Sequence, residues 1–340
     1  MDIQLILLII GLILAFIMAM NIGGNDAANP TSPAVGAGVL SIRRALLLFA
    51  AFTVVGAGLQ GFMVMKTIGK GIVPEIDILG AISIIIAANI WILFATIKGM
   101  AISTTHSIIS GVLGYGIFRF TIYGFNTNVL GTIALSWAIS PLCSLILAFF
   151  IYRWLISYIE KHKGDSVKIG RYLKFLLIGS LCFGAYSFGA NDVANATGVY
   201  ITITSKLGNI QDVTSMLYLA IFAAIGIIVG GLLIGPKVIE TLAFRVTRLD
   251  LNSALSASMS NALVVYLFTT LPYFLFGFGL PISTSYAAVG SIIGAGLAQN
   301  SRAISKAVTV KLVGYWILTI PISAILTIGI YYTLGLFIQL

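Results

Sequence analysis

Fixed charge is scarce in this sequence: only 9% of its 340 residues are Asp, Glu, Lys or Arg. A soluble domain carries roughly 25%, so that class is excluded. Mean hydropathy is +1.08. Apolar runs of about 20 residues recur along the chain, each long enough to cross a hydrocarbon core of roughly 30 Å. The short alternating segments of a transmembrane β-barrel are missing. Cysteine is nearly absent: Cys143 and Cys182 stand in apolar surroundings and read as buried thiols, with neither disulfide nor metal. The N-terminus lacks a basic leader and a small-residue cleavage site, so residues 3–20 read as a retained first helix. No polar stretch is large enough to house a separate enzyme. The expected fold is all-α, a polytopic membrane protein.

What charge there is sits mostly between the apolar runs. The net charge of +9 therefore speaks for orientation in a membrane and not for nucleic acid. The most polar stretch, "RWLISYIEKHKGDSVKIGRYLK" (153–174), sets six Lys and Arg against Glu160 and Asp165. It divides the chain into a first repeat (1–152), a cytoplasmic linker (153–171) and a second repeat (172–340). Three pairs of segments match in order across that divide: "GGNDAANPT" (23–31) with "GANDVANAT" (189–197), "GFMVMKTI" (61–68) with "GPKVIETL" (235–242), and "ISTTHSIISGVLGYG" (102–116) with "ISTSYAAVGSIIGAG" (282–296). The matched residues are polar ones and glycines, which chance similarity of apolar sequence does not reproduce.

Charge then gives orientation. Arg43 and Arg44 close the first helix unit and place that end in the cytoplasm, with the N-terminus outside. Lys66 and Lys70 are balanced by Glu75 and Asp77, whereas the partner loop holds Lys237, Arg245 and Arg248 against Glu240 and Asp250. Arg119 stands alone after the first hydroxyl segment; Arg302, Lys306 and Lys311 follow the second. Second-repeat loops are the more basic ones, as expected if an odd number of crossings inverts one repeat relative to the other. The expectation is two inverted-topology repeats with broken helices and re-entrant hairpins, about 10–12 membrane segments in all.

Asp26 and Asp192 each interrupt long apolar runs. A charge at bilayer depth costs at least about 2.5–3.5 kcal/mol, and two at equivalent positions ask for a reason. In "GGNDAANP" the glycines, asparagines and Pro30 interrupt the helix and free backbone groups, tolerable only in protein or beside a wet cavity. Asp26 with Asn25 and Asn29, and Asp192 with Asn191 and Asn195, offer the oxygens and negative charge that a hard cation such as sodium needs. We assign Asp26, Asn29, Asp192 and Asn195 to sodium. A purely structural role, capping half-helices, is weakened by the duplication.

The second duplicated element offers three consecutive hydroxyls: Ser103, Thr104 and Thr105, then Ser283, Thr284 and Ser285. Before an apolar helical stretch they read as N-caps. Helix starts carry partial positive charge and unpaired N–H groups, so two of them at one cavity make an anion site. Phosphate or sulfate is the natural ligand, with Asn25 and Asn191 beside the hydroxyls. His106, matched by Tyr286, reads as a hydrogen-bonding residue more than a proton carrier. Lys66 and Glu240 occupy equivalent positions with opposite charge and are candidates for gating. Lys98 reads as a snorkelling side chain, with anion holding as its other role.

With both motifs in hand, the chain resembles the inorganic phosphate transporter family of sodium- or proton-coupled symporters. That family's duplicated "GANDVANA" appears as "GGNDAANP" and, letter for letter, at 189–196; its hydroxyl element appears as "AISTTH" and "PISTSY". The resemblance implies an inverted-repeat transport domain in the plasma membrane with both termini outside, phosphate between the halves, sodium beside it, and a homodimer. Ala101, Tyr286, Lys66 and Pro30 depart from the usual proline, histidine, glutamate and alanine. Those departures bear on ion stoichiometry and gating more than on phosphate. The expected function is import of inorganic phosphate by sodium symport with alternating access and no resident cofactor. Proton-coupled carriage of phosphate or metal–phosphate, or carriage of sulfate, is the alternative. An intramembrane aspartyl protease does not account for the asparagines or the hydroxyl pairs, and a passive channel has no need of two carboxylates.

Overall fold

The computed structural model describes residues 3–98, 102–162, 166–246, 249–299 and 306–338. Ala101, Lys163, Asp165, Arg248 and Arg302 lie outside the described residues, as do the side chains of Arg245 and Lys306. The described residues contain helices and no strand. They form ten rods. The first joins α1 (Ile3–Asp26) to α2 (Ala28–Gly36), and the second joins α3 (Ile42–Gln60) to α4 (Phe62–Lys66). α5 (Ile78–Ile97), α6 (Thr104–Phe120) and α7 (Thr127–Lys161) complete the first half. α8 (Ser166–Thr197) leads through a 3-10 turn into α9 (Ile201–Gly208), and α10 (Asp212–Leu233) leads into α11 (Gly235–Thr241). α12 (Leu251–Phe276), α13 (Thr284–Gln299) and α14 (Lys306–Phe337) follow. A π-helical turn follows α4 at Thr67–Gly71 and another follows α11 at Leu242–Val246.

Eight helical runs are long and apolar enough to cross a membrane, among the described residues. α6 and α13, with 17 and 16 residues, are shorter than the roughly 20 residues a crossing usually takes. The linker residues contribute helix: 153–161 extend α7 and 166–171 open α8.

Local chemistry sets the element boundaries. Asp77, Ser103, Asn126 and Asp250 each cap the helix that follows by accepting from a backbone N–H three residues on. The first rod breaks at Ala27 because Pro30 has no N–H for the Asp26 carbonyl, and Pro33 likewise deprives Asn29. The second motif carries no proline. α8 therefore runs unbroken through Asp192 and breaks only after Thr197.

Contacts gather the loops at two ends. At one end Asn126 N–H donates to the Ile72 carbonyl at 3.0 Å, Tyr115 and Tyr331 donate to Asp77, and Lys70–Asp212 and Lys206–Glu75 pair as ions. At the other end residues 35–42 adjoin Glu240 and Phe244, and α7 near Glu160 adjoins Ala298. The first is the chain-end side; the second is the linker side. The α5–α6 hairpin enters from the chain-end side and the α12–α13 hairpin from the linker side. Their tips meet inside.

Lipid offers helices no hydrophobic reason to associate, so close van der Waals packing must do it. A methyl group on Gly23 would sit 1.9 Å from the Ile227 carbonyl oxygen, and one on Gly189 would sit 2.1 Å from that of Thr53. α1 on α10, and α3 on α8, thus touch backbone to backbone. The motif glycines are packing residues.

Candidate functional site

The two hairpin tips brace each other. Thr105 donates to the Ile282 carbonyl at 2.9 Å, and Ser285 lies 3.2 Å from the Ile102 carbonyl. Each tip is extended until its serine caps the next helix: Ser103 accepts from His106 N–H at 3.1 Å, and Ser283 from Tyr286 N–H at 3.2 Å. Capping uses up the first hydroxyl of each run. It sets the α6 and α13 N-termini beside the two aspartates.

Asp26 and Asp192 are fully buried. Ser285 donates to Asp26 Oδ1 at 2.8 Å and Thr104 to Asp26 Oδ2 at 2.9 Å. Asp192 Oδ1 lies 3.5 Å from Thr104, 3.4 Å from Thr284 and 3.1 Å from Asn195 Nδ2. Thr104 reaches both carboxylates, so they are no farther apart than two hydrogen bonds laid end to end. Its single O–H proton serves one of them at a time. Two bare carboxylates at such range repel by a few kcal/mol even at an effective dielectric of about 20.

The asparagines complete the arrangement. Asn29 Nδ2 donates to Ser285 at 3.2 Å; Asn195 Nδ2 donates to Thr105 at 3.0 Å. Their amide oxygens, Asn29 Oδ1 and Asn195 Oδ1, are buried and accept no hydrogen bond. Buried acceptors are nearly always satisfied; these two, one beside each aspartate, are not. Among the described residues no cluster of three His, Cys, Asp or Glu side chains exists to hold a transition metal. The donors here are carboxylate, amide and hydroxyl oxygens, which suit a hard cation.

Asn25 and Asn191 take different places. Asn25 Nδ2 donates to Thr96 at 2.9 Å. Asn191 Nδ2 donates to the Ile282 carbonyl at 3.0 Å, while its Oδ1 accepts from Thr269 and from Ile282 N–H, both at 3.3 Å. Asn191 thus ties α8 to the second tip. The Thr96 and Thr269 partners were not anticipated; the hydroxyl pair Thr269–Thr270 within an apolar run was the available clue to the second.

His106 stacks between rings. Its centroid lies 3.6 Å from that of Trp137 and 4.4 Å from that of Tyr286, and Tyr286 lies 3.8 Å from Trp316. His106 Nδ1 and Ser103 Oγ are 2.6 Å apart. Lys66 and Glu240 do not meet: both are exposed, Lys66 towards the chain-end side and Glu240 on the linker side.

Comparison with known proteins gives concordant findings. The family model described as "Phosphate transporter family" matches residues 22–327. A Pyrococcus horikoshii protein named "Putative phosphate permease" is 31% identical, the match covering 94% of this chain and 95% of that one. A Thermococcus kodakarensis protein of the same description is 30% identical, with 94% and 96% covered. Among solved structures, "The sodium-dependent phosphate transporter" superposes with a TM-score of 0.84 at 29% identity, covering 98% of this chain and all of that one.

Proposed function

The chain belongs to the phosphate transporter family, and on that premise we propose that it imports inorganic phosphate by symport with sodium ions, the site alternating between the two sides of the membrane. It is a multi-pass membrane transporter and not an enzyme. The observation that carries the sodium reading is the pair of orphan amide oxygens, Asn29 Oδ1 and Asn195 Oδ1, each buried beside a carboxylate. The structural neighbour is itself sodium-dependent by name.

Without cations, the hydroxyls of Thr104, Thr284 and Ser285 point their protons at Asp26 and Asp192. Two bare carboxylates also repel an incoming oxyanion. Sodium at Asp26–Asn29 and at Asp192–Asn195 neutralises both and releases those hydroxyl protons. Phosphate then accepts from the hydroxyls and from the N-termini of α6 and α13. Anion affinity thereby depends on cation occupancy, and linkage requires phosphate to tighten sodium binding by the same factor. The loaded site changes sides as the halves rock. Net positive charge moving inward gains about 2.3 kcal/mol per 100 mV.

The halves, 1–152 and 172–340, serve in this reading as inverted repeats joined by the linker 153–171. Mirrored bonds support it: Thr105 to Ile282 against Ser285 to Ile102, and Asn29 to Ser285 against Asn195 to Thr105. In this reading the basic linker lies in the cytoplasm of a plasma-membrane protein, with both chain ends outside, as the excess of Lys and Arg supports. A homodimer belongs to this reading through the family resemblance alone.

Labelled phosphate uptake into proteoliposomes tests the coupling. Uptake should follow an imposed sodium gradient and stop when choline replaces sodium at constant pH. Uptake that tracks a proton gradient and ignores sodium would instead make Asp26 or Asp192 a proton carrier. Excess sulfate should compete weakly. Thr104→Val and Ser285→Ala should each raise the phosphate concentration for half-maximal uptake about 10- to 100-fold, the worth of one hydrogen bond to a charged group. Unchanged values would remove those hydroxyls from the anion's path.

A further inference from the structure

The two sides of the site are not equally closed. Towards the chain-end side, the tip before α13 is pinned to α4. Gly279 N–H donates to the Met63 carbonyl at 3.1 Å, and Thr67 donates to the Gly279 carbonyl at 2.6 Å. The ion pairs Lys70–Asp212 and Lys206–Glu75 add a second layer on that side. Towards the linker side, the corresponding place is a cavity of about 530 Å³ between the end of α5 and α11. Thr96, Lys98, Lys237, Glu240 and Thr241 are its polar lining. Thr96 also holds Asn25, next to Asp26 in the buried site, at 2.9 Å. Thr96 therefore ties the cavity wall to the first motif.

Repeat symmetry makes the contrast informative. Matching "GFMVMKTI" with "GPKVIETL" sets Met63 against Lys237 and Thr67 against Thr241. Matching the hydroxyl elements sets Phe278 against Lys98. Two apolar residues at the sealed tip thus correspond to two lysines at the open one. Among the described residues neither lysine has an ion-pair partner. Lys98 Nζ sits over the Phe94 ring, 5.9 Å from its centroid. Glu240, on the same cavity, has no ion pair among the described residues either.

We propose that this cavity is the vestibule joining the central site to the linker-side solution, and that Lys98 and Lys237 form an anion subsite in it for inorganic phosphate on its way out of or back into the central site. The inference rests on the transport reading above. Two unpaired ammonium groups lining one concave wall raise the local concentration of a phosphate dianion. Glu240 sets the limit on that attraction and keeps the subsite weak enough to release its cargo. Closing the linker side as the chain-end side is closed would bring Lys98 and Lys237 towards one another, so departure of phosphate and closure are opposed.

The test is the double variant Lys98→Gln/Lys237→Gln, reconstituted in one orientation, with phosphate half-saturation measured from each face at low and high salt. The linker-side value should rise about fivefold or more at low salt, since each unit charge near a solvated anion is worth about 1 kcal/mol. The rise should shrink at high salt, where exposed charges are screened. The chain-end-side value and sodium-dependent phosphate binding at equilibrium should not move. Lys98→Arg/Lys237→Arg should behave as wild type, and Glu240→Gln should lower the linker-side value. A linker-side value unchanged in the Gln pair, or a loss equal at both faces and insensitive to salt, overturns the subsite. Wild-type protein that binds no phosphate with sodium present would bring down the transport reading itself.

Discussion

Replacing Asp26 by Asn, or Asp192 by Asn, should cut sodium-dependent phosphate uptake about 100-fold or more while the protein remains folded. The substitution keeps the shape and one acceptor oxygen and removes the charge. Of Thr104 and Ser285, which donate to different oxygens of Asp26, one can still donate to the remaining oxygen while the other's hydroxyl accepts from the new amide N–H, so the hairpin tips stay in register. A buried cation losing its formal counter-charge forfeits on the order of 3 kcal/mol, and each 1.4 kcal/mol is tenfold. The checks are uptake in proteoliposomes and the shift of melting temperature on adding sodium, which should vanish with the uptake. Relieving the repulsion between the two acids should leave the variants at least as stable as wild type without sodium. Wild-type uptake in either variant, with the sodium shift intact, would remove that carboxylate from the cation site.

The second large effect concerns folding alone. Gly189→Ala and Gly230→Ala should sharply lower the yield of monodisperse protein, since the added methyl would lie 2.1 Å and 1.9 Å from a carbonyl oxygen of the facing helix. Nothing there is the end of a flexible side chain; the helices themselves must part, a strain of several kcal/mol shared along the seam. Gly179→Ala, on the same helix as Gly189 but with nothing within 4 Å, should be neutral or slightly stabilising. Size-exclusion profiles and thermal melts of the three in detergent make the comparison. Equal behaviour of Gly189→Ala and Gly179→Ala would mean that α3 and α8 do not meet as described.

These two outcomes divide the duplicated motif between two jobs, and that division was only partly legible in the sequence. The polar residues were visible because they stand in apolar surroundings where each costs free energy, and their repetition was visible because spacing survives in sequence. Which group each hydroxyl would satisfy was not, since Ser103, Thr104 and Thr105 look alike in a string. Folding spends Ser103 on its own helix, Thr104 on the acids and Thr105 on the opposite tip. The glycines, asparagines and Pro30 of "GGNDAANP" suggested a broken helix. Of these the proline makes the break, which is why α8 passes its own motif intact. Lys66 and Glu240 are equivalent in the repeat, yet equivalence places them at opposite ends. The linker's charge was plain; that α7 and α8 extend into it was not, because its "RWLISYIEK" portion is also a good amphipathic helix.

Asp26 is made early and Ser285, its partner, 259 residues later. Thr104 comes sooner, but its tip is braced by the carbonyl of Ile282 and the hydroxyl of Ser285, both made far later. During synthesis the first helix therefore enters the bilayer with an acid that has no finished surroundings. It stays provisional until nearly the whole polypeptide has left the ribosome. Truncated products lacking the last two helices should be cleared by membrane quality control, and neither half of the gene, expressed by itself, should yield a working carrier.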